Sequence, residues 1–310
     1  MGKRERKRYE QNEQVVALLK KPTWTDEEDA FVREHYTGYG GLSHSGDGLG
    51  QFYTPKAVAD FAVNLLAIPT GSVVAEPACG AGVFLSSLPS DVTVHACELA
   101  PEASAVASRL YPHADVRTGD GITFLRENTE TFDFIVGNPP YGGTILADSR
   151  FSNKQGKVSP ELVFLEAALG ALKPGGKLAM IVPDGLLSAQ KYQSFRKWVI
   201  EEFRLWASIS LPAETFYFAG TGCKTSILVI EKPATSKPQD IDSFVFMAMV
   251  EKIGWDSRGR LTESDLPKIF DAWKRFYSEH QEPVQNQVPE VTELTILLGE
   301  DGQYSLDIAC

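Results

Sequence analysis

A tetrapeptide that directly follows a short apolar run carries the groups best suited to chemistry in this sequence. It reads Asn138-Pro139-Pro140-Tyr141, and the run before it, Phe132–Gly137, is typical of a buried parallel strand. Two successive prolines must end that strand, since neither can donate to a ladder. The Asn138 side-chain oxygen and the Pro139 carbonyl oxygen could each accept one hydrogen of a planar amino group, and Tyr141 could lie flat on the attached ring. The tetrapeptide therefore predicts a site that grips an –NH2 group.

A second set of candidate residues follows three earlier strand signals. The first strand leads into a turn with Gly80 and Gly82, where absent side chains let a ligand approach the backbone. The second ends at Glu98, about 20 positions on, where a carboxylate is placed to hold a ribose hydroxyl pair. The third ends near Asp120, which can accept from an adenine amino group, while Ile122 packs on the ring. No phosphate-binding lysine is present, so the set favours S-adenosylmethionine over a nucleoside triphosphate.

These residues need a sheet to position them, and the pattern predicts one. Strand signals lie at residues 72–75, 93–97, 115–118, 132–136, 177–182, 205–209 and 226–230. Helical signals lie between most of them, at residues 83–88, 101–110, 121–127, 160–172 and 192–203. This alternation predicts an α/β fold with a doubly wound, mostly parallel, seven-stranded sheet and helices on both faces. Such sheets bind ligands at the carboxyl ends of their strands.

The flanking segments predict three regions in all. Residues 1–50 form a helical N-terminal extension with a glycine-rich loop, with helices at 11–20 and 25–36, and Thr25 and Glu28 have capping-box spacing. Residues 51–232 form the ligand-binding domain, which opens with a helix at 55–67 begun by Pro55. Residues 233–310 form a smaller C-terminal region with a strand at 244–250 and a helix at 266–277, and it is either truncated or partner-binding.

Composition narrows the class of protein. The 310 residues contain no apolar stretch near the ~20 residues of a membrane span, and the basic N-terminus has no apolar segment behind it. The four cysteines show no Cys-x-x-Cys spacing, which argues against a zinc site or a disulfide framework and fits the cytoplasm. The net charge of −11 is unfavourable for binding nucleic acid, and residues 231–310 carry 8 basic against 15 acidic residues.

Four motifs in this order resemble those of the adenine-specific DNA methyltransferases, closest to the methylation (HsdM-like) subunits of type I restriction-modification systems. The segment 50–55 resembles the upstream cofactor motif of that family, and 76–84 resembles its glycine motif, with Glu76, Ala81 and Val83 replacing Asp, Thr and Gly. The tetrapeptide 138–141 matches the catalytic motif without change, and 216–225 is similar to the aromatic segment that helps hold the flipped base. The resemblance covers residues 38–232 strongly and 244–259 more weakly.

The resemblance implies a class I, Rossmann-like methyltransferase that moves a methyl group from S-adenosylmethionine to the adenine amino group in DNA. The implied catalytic residues are Asn138, Pro139, Pro140 and Tyr141. The implied cofactor residues are Gln51, Phe52, Tyr53, Thr54, Pro55, Glu76, Pro77, Ala78, Cys79, Gly80, Gly82, Phe84, Glu98, Asp120, Gly121, Ile122 and Asn138. Tyr141 and either Phe216 or Phe218 would stack on the base, although each phenylalanine could instead be core. The methyl donor is already activated, so no metal is expected.

Three further points stay open at this level. A methyltransferase acting on a protein glutamine or an RNA amine shares the catalytic tetrapeptide, and a cofactor-binding scaffold without activity of its own is a second alternative. No segment has the size and charge of a DNA-reading domain, so we expect double-stranded DNA to be recognised through a specificity subunit or an additional C-terminal recognition domain. The basic residues 3–8 could form a disordered arm, and Arg150, Lys154 and Lys157 lie in a loop that could close over the base.

Overall fold

One large sheet organises the part of the chain that the computed structural model describes, which is residues 3–36, 53–219, 222–234, 244–281, 293–298 and 304–309. In chain order the strands are β1 (Val73–Glu76), β2 (Thr93–Glu98), β3 (Ala114–Thr118), β4 (Phe132–Gly137), β5 (Ile145–Leu146), β6 (Lys157–Val158), β7 (Leu172–Pro183), β8 (Arg204–Leu211), β9 (Thr225–Glu231), β10 (Phe246–Met249), β11 (Ile253–Trp255), β12 (Leu261–Ser264), β13 (Glu293–Leu298) and β14 (Tyr304–Ala309). Eight of these form the large sheet and the others pair as hairpins.

The large sheet has the order β10-β8-β9-β7-β4-β1-β2-β3. Its strands are parallel except β9, which is antiparallel to both β7 and β8. The strand order reverses at β1, which pairs with β2 on one side and β4 on the other. Ligands of doubly wound sheets bind beside such a switch point, at the carboxyl ends of the strands. The ends of β1, β2 and β4 are therefore where a site is expected.

Helices cover the sheet and bury its strands. They are α1 (Lys3–Leu18), α2 (Asp26–His35), α3 (Lys56–Asn64), α4 (Pro101–Leu110), α5 (Gly121–Glu127), α6 (Pro160–Ala171), α7 (Asp184–Ser188), α8 (Gln193–Glu202) and α9 (Leu266–His280), with short 3-10 segments at Leu85–Ser87, Gln190–Tyr192 and Ala213–Ala219. The helix α6 is apolar on nearly every side and is buried along most of its length. It packs into a core shared with β4 and β7. That core fixes the loop between β4 and α6.

The two N-terminal helices pack beside α4. Thr25 and Glu28 form the predicted capping box at the start of α2. Arg109 of α4 lies over the ring of Trp24, and Arg33 of α2 donates to the carbonyl of Leu110. The helix α1 begins at Lys3, well before the predicted start, because the straight-chain charged residues there are good helix formers although they carry no apolar period. The basic residues 3–8 are thus helical and not a disordered arm.

The doubly wound Rossmann-like fold is confirmed, with two corrections. The sheet has eight strands and not seven, because β10, which we assigned to the C-terminal region, pairs parallel with β8 at the edge of the large sheet. The helix predicted at 83–88 is reduced to the 3-10 turn Leu85–Ser87, since the hydroxyls of Ser86 and Ser87 both donate to the carbonyl of Val83 and compete with helical bonding.

The chain divides into compact units at 1–274 and 275–310. The first unit holds the N-terminal helices and the large sheet, including β10. The second contains the antiparallel pair β13–β14. The division at residues 50 and 232 stays a prediction. Across the described segments, every helix is too short or too polar to span a bilayer.

Candidate functional site

The tetrapeptide 138–141 lies directly after β4, at the carboxyl edge of the sheet. The Nδ2 atom of Asn138 donates to Oγ1 of Thr54 at 3.0 Å. Thr54 is only 7% exposed, so water competes little for this hydrogen bond. The bond fixes the plane of the Asn138 amide and directs its Oδ1 away from Thr54. Thr54 belongs to the segment predicted to hold the cofactor, and the structure ties that segment to the predicted catalytic amide.

The Tyr141 ring is half-buried next to Asn138. Burial raises the pKa of its hydroxyl, and the neighbouring Cys223 thiol raises it further, while a hydrogen bond with the Asn138 side chain acts in the opposite direction. The hydroxyl is therefore neutral at physiological pH. A neutral, partly accessible ring suits stacking on a planar group.

The turn after β1 is shaped by two glycines. Gly80 has φ +54° and Gly82 has φ +87°, values that other residues rarely adopt. The N–H of Gly80 donates to Oε2 of Glu98 at 2.8 Å. A Cβ atom on Gly82 would lie 2.5 Å from the ring of Tyr111. Gly82 therefore leaves room for the ring of Tyr111. The backbone N–H of Gly80 instead faces Glu98, the residue predicted to hold the ribose.

Two buried carboxyl groups lie at this edge. Glu98 is 5% exposed and also accepts from the N–H of Ala100 at 2.7 Å. Burial raises the pKa of Glu98, although its backbone hydrogen bonds oppose the shift. Glu76, at the end of β1, is 1% exposed, and burial together with the charge of Glu98 raises its pKa well above the ordinary value. Its Oε2 has no hydrogen-bond partner among the described residues. The carboxyl oxygens of Glu76 and Glu98 can therefore accept hydrogen bonds from a ligand that carries N–H or O–H groups.

The third strand end is built around Asp120 and Gly121. Asp120 caps α5, and its Oδ1 accepts from the N–H of Thr123 at 2.7 Å. The next residue has to be glycine, because a Cβ there would lie 1.9 Å from the carbonyl oxygen of Pro77. Ile122 packs into the core and is 7% exposed. The structure thus brings the segments that follow β1 and β3 into direct contact, with the exposed Asp120 carboxylate at the rim.

The remaining predicted residues occupy different surroundings. The ring of Tyr53 faces Gly80 and meets Tyr36 edge to face, with ring centres 6.1 Å apart. Pro55 stands at the N-terminus of α3. Pro77, Cys79, Phe84 and Pro139 are buried, while Ala78 and Pro140 are half-buried. Burial raises the pKa of the Cys79 thiol well above the usual value, so that it stays protonated. Gln51 and Phe52 lie outside the described residues.

The aromatic segment gives one clear outcome. Phe216 is completely buried, so in this structure its ring offers no face to a base, and of the two roles considered for it the structure favours the core. Phe218 lies in the backbone of the 3-10 segment Ala213–Ala219, and its side chain is outside the described part. Among the described residues, His, Cys, Asp and Glu side chains nowhere cluster as a metal site requires.

Sequence reasoning missed several residues that shape the site. Tyr111 fills the space beside Gly82, and Arg33 stacks over the Tyr111 ring at 5.1 Å. Glu161, at the start of α6, is 4% exposed and accepts from the N–H of Gly142. A carboxylate at a helix start usually indicates only a favourable helix dipole, so nothing in the local pattern singled out Glu161.

Comparison with known proteins places this arrangement in a family. Residues 42–297 match the family model for N-6 DNA methylases. The chain belongs to this family. It is 29% identical over 214 residues to the methylase subunit of the type I restriction enzyme EcoEI of Escherichia coli, an alignment that covers 61% of this chain and 44% of the relative. The chain spans less than half the length of the curated relatives that it matches first.

Solved structures share the fold of this N-6 DNA methylase family member. A Listeria monocytogenes protein described as a class I S-adenosylmethionine-dependent methyltransferase superimposes with a TM-score of 0.60 and 18% identity, covering 87% of this chain and 90% of that protein. The methyltransferase subunit of a type I restriction-modification system from Streptococcus thermophilus gives 0.59 at 22% identity, covering 81% and 62%. At these identities the similarity shows the fold alone.

Proposed function

We propose that this chain transfers the methyl group of S-adenosylmethionine to the exocyclic amino group of adenine in DNA. The observation that carries the proposal is the hydrogen bond from Asn138 to Thr54, which orients the Asn138 amide at the end of β4. Family membership supports the reaction type, because the matching model is that of N-6 DNA methylases. An oriented amide beside a half-buried tyrosine suits an aromatic amine better than an alkyl group.

The acidic strand ends fit S-adenosylmethionine. Glu76, Glu98 and Asp120 are all acceptors, and the cofactor offers donors in its ammonium group, its ribose hydroxyls and its adenine amine. The Oε2 atom of Glu76, buried and without a described partner, is the kind of atom that a donating ligand satisfies. When bound, the cofactor supplies an activated methyl group on a positively charged sulfur. We assign Glu98 to the ribose and Asp120 to the adenine of the cofactor.

The target amine lies inside a base stack, so the base has to be extruded, which costs about a few kcal/mol. Oδ1 of Asn138 and the carbonyl oxygen of Pro139 then accept the two amine hydrogens. Both bonds draw the nitrogen towards tetrahedral geometry and stabilise the positive charge that develops on it. Tyr141 stacks on the base. The rate therefore depends on how firmly Asn138 is held in its orientation.

DNA recognition needs a further component in this proposal. The net charge is −11, and residues 231–310 carry most of the acidic excess. Specific binding rests on several phosphate contacts in addition to base readout. Of the cations after the catalytic motif, Arg150 is already paired with Glu166. We infer that a specificity subunit or a recognition domain supplies sequence readout.

The test of the function is transfer of a labelled methyl group to unmethylated genomic DNA, with RNA and a protein extract as competing acceptors. The label should appear as N6-methyladenine in DNA, identified by mass spectrometry. Label on RNA amines or on protein glutamine would move the chain to the alternative class. A chain that binds the cofactor but labels nothing, even with its partner subunits, would be a scaffold.

The partner requirement has its own test. The isolated chain, titrated against a library of duplexes, should bind weakly, should release DNA as salt rises, and should enrich no sequence. Recovery of a single enriched site at ~10⁻⁸ M or tighter, the usual range of specific binding, would show that recognition resides in this chain.

A further inference from the structure

A buried chain of polar groups lies beneath the loop that carries Tyr141. Oγ of Ser159 donates to the Tyr192 hydroxyl at 2.9 Å, and that hydroxyl donates to Oε1 of Glu161 at 3.1 Å. Ser159, Glu161 and Tyr192 are 6%, 4% and 7% exposed. Side chains of these types are rarely buried together unless they satisfy one another.

The second oxygen of Glu161 leaves this buried chain and reaches the loop. Oε2 accepts from the N–H of Gly142 at 3.2 Å. Gly142 directly follows Tyr141 and has φ +93°, so the backbone turns here in a conformation that favours glycine. Through Glu161, the turn is linked to α6 and to the 3-10 segment Gln190–Tyr192.

The free-energy cost of burying the Glu161 carboxylate indicates that Glu161 does more than fill space in the core. Burying a carboxylate is costly unless donors satisfy it, and an apolar side chain would fill the same space at lower cost. The donors of Glu161 include one from the core, Tyr192, and one from the loop, Gly142. The carboxylate therefore couples the position of the loop to a rigid part of the fold.

We propose that Glu161, supported by Tyr192 and Ser159, is a positioning residue that fixes Gly142 and with it the ring of Tyr141 against the target base. The inference rests on the proposed function, since it assigns a task within the same reaction. Glu161 itself does not touch the base in this account. It acts through the backbone of the loop.

The decisive variants are Glu161→Gln and Tyr192→Phe. A glutamine keeps the shape of glutamate but is neutral and has one acceptor oxygen, so the bond to Gly142 is weaker than one to a carboxylate and is lost if the amide nitrogen faces the loop. Tyr192→Phe removes one donor but leaves the bond to Gly142. Glu166→Gln is the matched control, because Glu166 lies on the same helix and binds the same loop farther along, at Ser149 and Arg150.

Two readouts separate positioning from general damage. Hydrogen exchange of the Gly142 amide should be faster in Glu161→Gln by about 10-fold, on the scale of one lost hydrogen bond, and unchanged in Glu166→Gln. Single-turnover methyl transfer to DNA should fall by a similar factor of about 10 in Glu161→Gln and by less in Tyr192→Phe, with unchanged cofactor affinity. With 2-aminopurine in place of the target adenine, the fluorescence of the extruded base reports its stacking on Tyr141. Glu161→Gln should change that fluorescence.

Unchanged exchange at Gly142 in Glu161→Gln would overturn the proposal, and so would a rate loss matched by an equal loss of cofactor affinity in both variants. If Glu161→Gln fails to fold, Tyr192→Phe decides through the rate: a partial loss of methyl transfer at normal cofactor affinity supports the proposal, and an unchanged rate overturns it. A wild-type chain that transferred no methyl group to DNA even with its partner subunits would remove the proposed function, whereas exchange at Gly142 would still show whether the hydrogen bond to Glu161 exists.

Discussion

The turn after β1 and the loop after β4 lie at the ends of adjacent strands but are held by different means. The turn is held largely by backbone: Gly80 and Gly82 have positive φ, the Gly82 N–H donates to the carbonyl of Cys79, and the Cys79 N–H donates to the carbonyl of Cys97, while Glu98 adds one side-chain bond to the Gly80 N–H. The loop is held by two side chains that come from elsewhere, Thr54 at its start and Glu161 at its end.

This contrast has a functional consequence. A turn defined by backbone conformation keeps its shape when one ligand-binding side chain is changed, so substitutions there should alter affinity. A loop defined by side-chain hydrogen bonds depends on residues that never touch the substrate, so substitutions at a distance should alter rate. The two regions should therefore respond differently to mutation.

The largest effect is expected at Asn138. Asn138→Ala removes an oriented acceptor that acts on the amine in the transition state, and we expect single-turnover methyl transfer to fall by at least ~100-fold with cofactor affinity nearly kept. Asn64→Ala, at the exposed end of α3, is the control and should keep its activity. A near wild-type rate in Asn138→Ala would remove its catalytic role.

The next effect concerns affinity at the turn. Glu98→Ala should weaken S-adenosylmethionine binding by about 1–3 kcal/mol, because ribose hydroxyls would be left without an acceptor. Glu102→Ala, on the exposed face of α4, should change nothing. Calorimetry measures both. If Glu98→Ala and Asp120→Ala both bound the cofactor normally, the assignment of this turn would be lost.

A smaller effect is expected with pH. Burial raises the pKa of Glu98 above the 4.5 of a freely exposed glutamate, so protons compete for this carboxylate at a higher pH. Cofactor affinity should therefore decline as pH falls through this raised pKa, because the protonated acid loses an acceptor site. Glu98→Gln should flatten the calorimetric pH profile. A profile equally steep in Glu98→Gln would assign the titration to another group.

The sequence predicted the fold to within a few residues at most elements. Each of the seven predicted strands of the large sheet is present. Most are buried and form continuous apolar runs bounded by Gly or Pro, whereas the edge strand β3 consists of half-buried and exposed residues. The position of β10 was not predictable in this way. β10 pairs with β8, which lies far from it in the chain. The residues of β10 alternate between half-buried and exposed, a pattern that does not indicate which strand β10 pairs with.

The residues of the site also show that long-range contacts cannot be predicted from local sequence patterns. Gly80, Glu98 and Asp120 were recognisable because each sits where its own strand ends. The supports of the catalytic loop were not, since the hydrogen bond between Thr54 and Asn138 spans 84 positions and Glu161 has no local signature. Phe216 illustrates the converse, because an aromatic residue in a motif can be core, and only its complete burial distinguishes the two roles.

The most direct test of the account is the pair Thr54→Val and Thr54→Ser, compared by single-turnover methyl transfer and by calorimetry with S-adenosylmethionine. Valine keeps the shape of threonine but cannot accept from Nδ2 of Asn138, whereas serine can. The account predicts that Thr54→Val loses about 10-fold in rate, as expected for a buried hydrogen bond, that Thr54→Ser keeps most of it, and that both bind the cofactor normally. Weakened cofactor binding in Thr54→Val, with a normal rate at saturation, would contradict it and leave Thr54 as a cofactor residue alone.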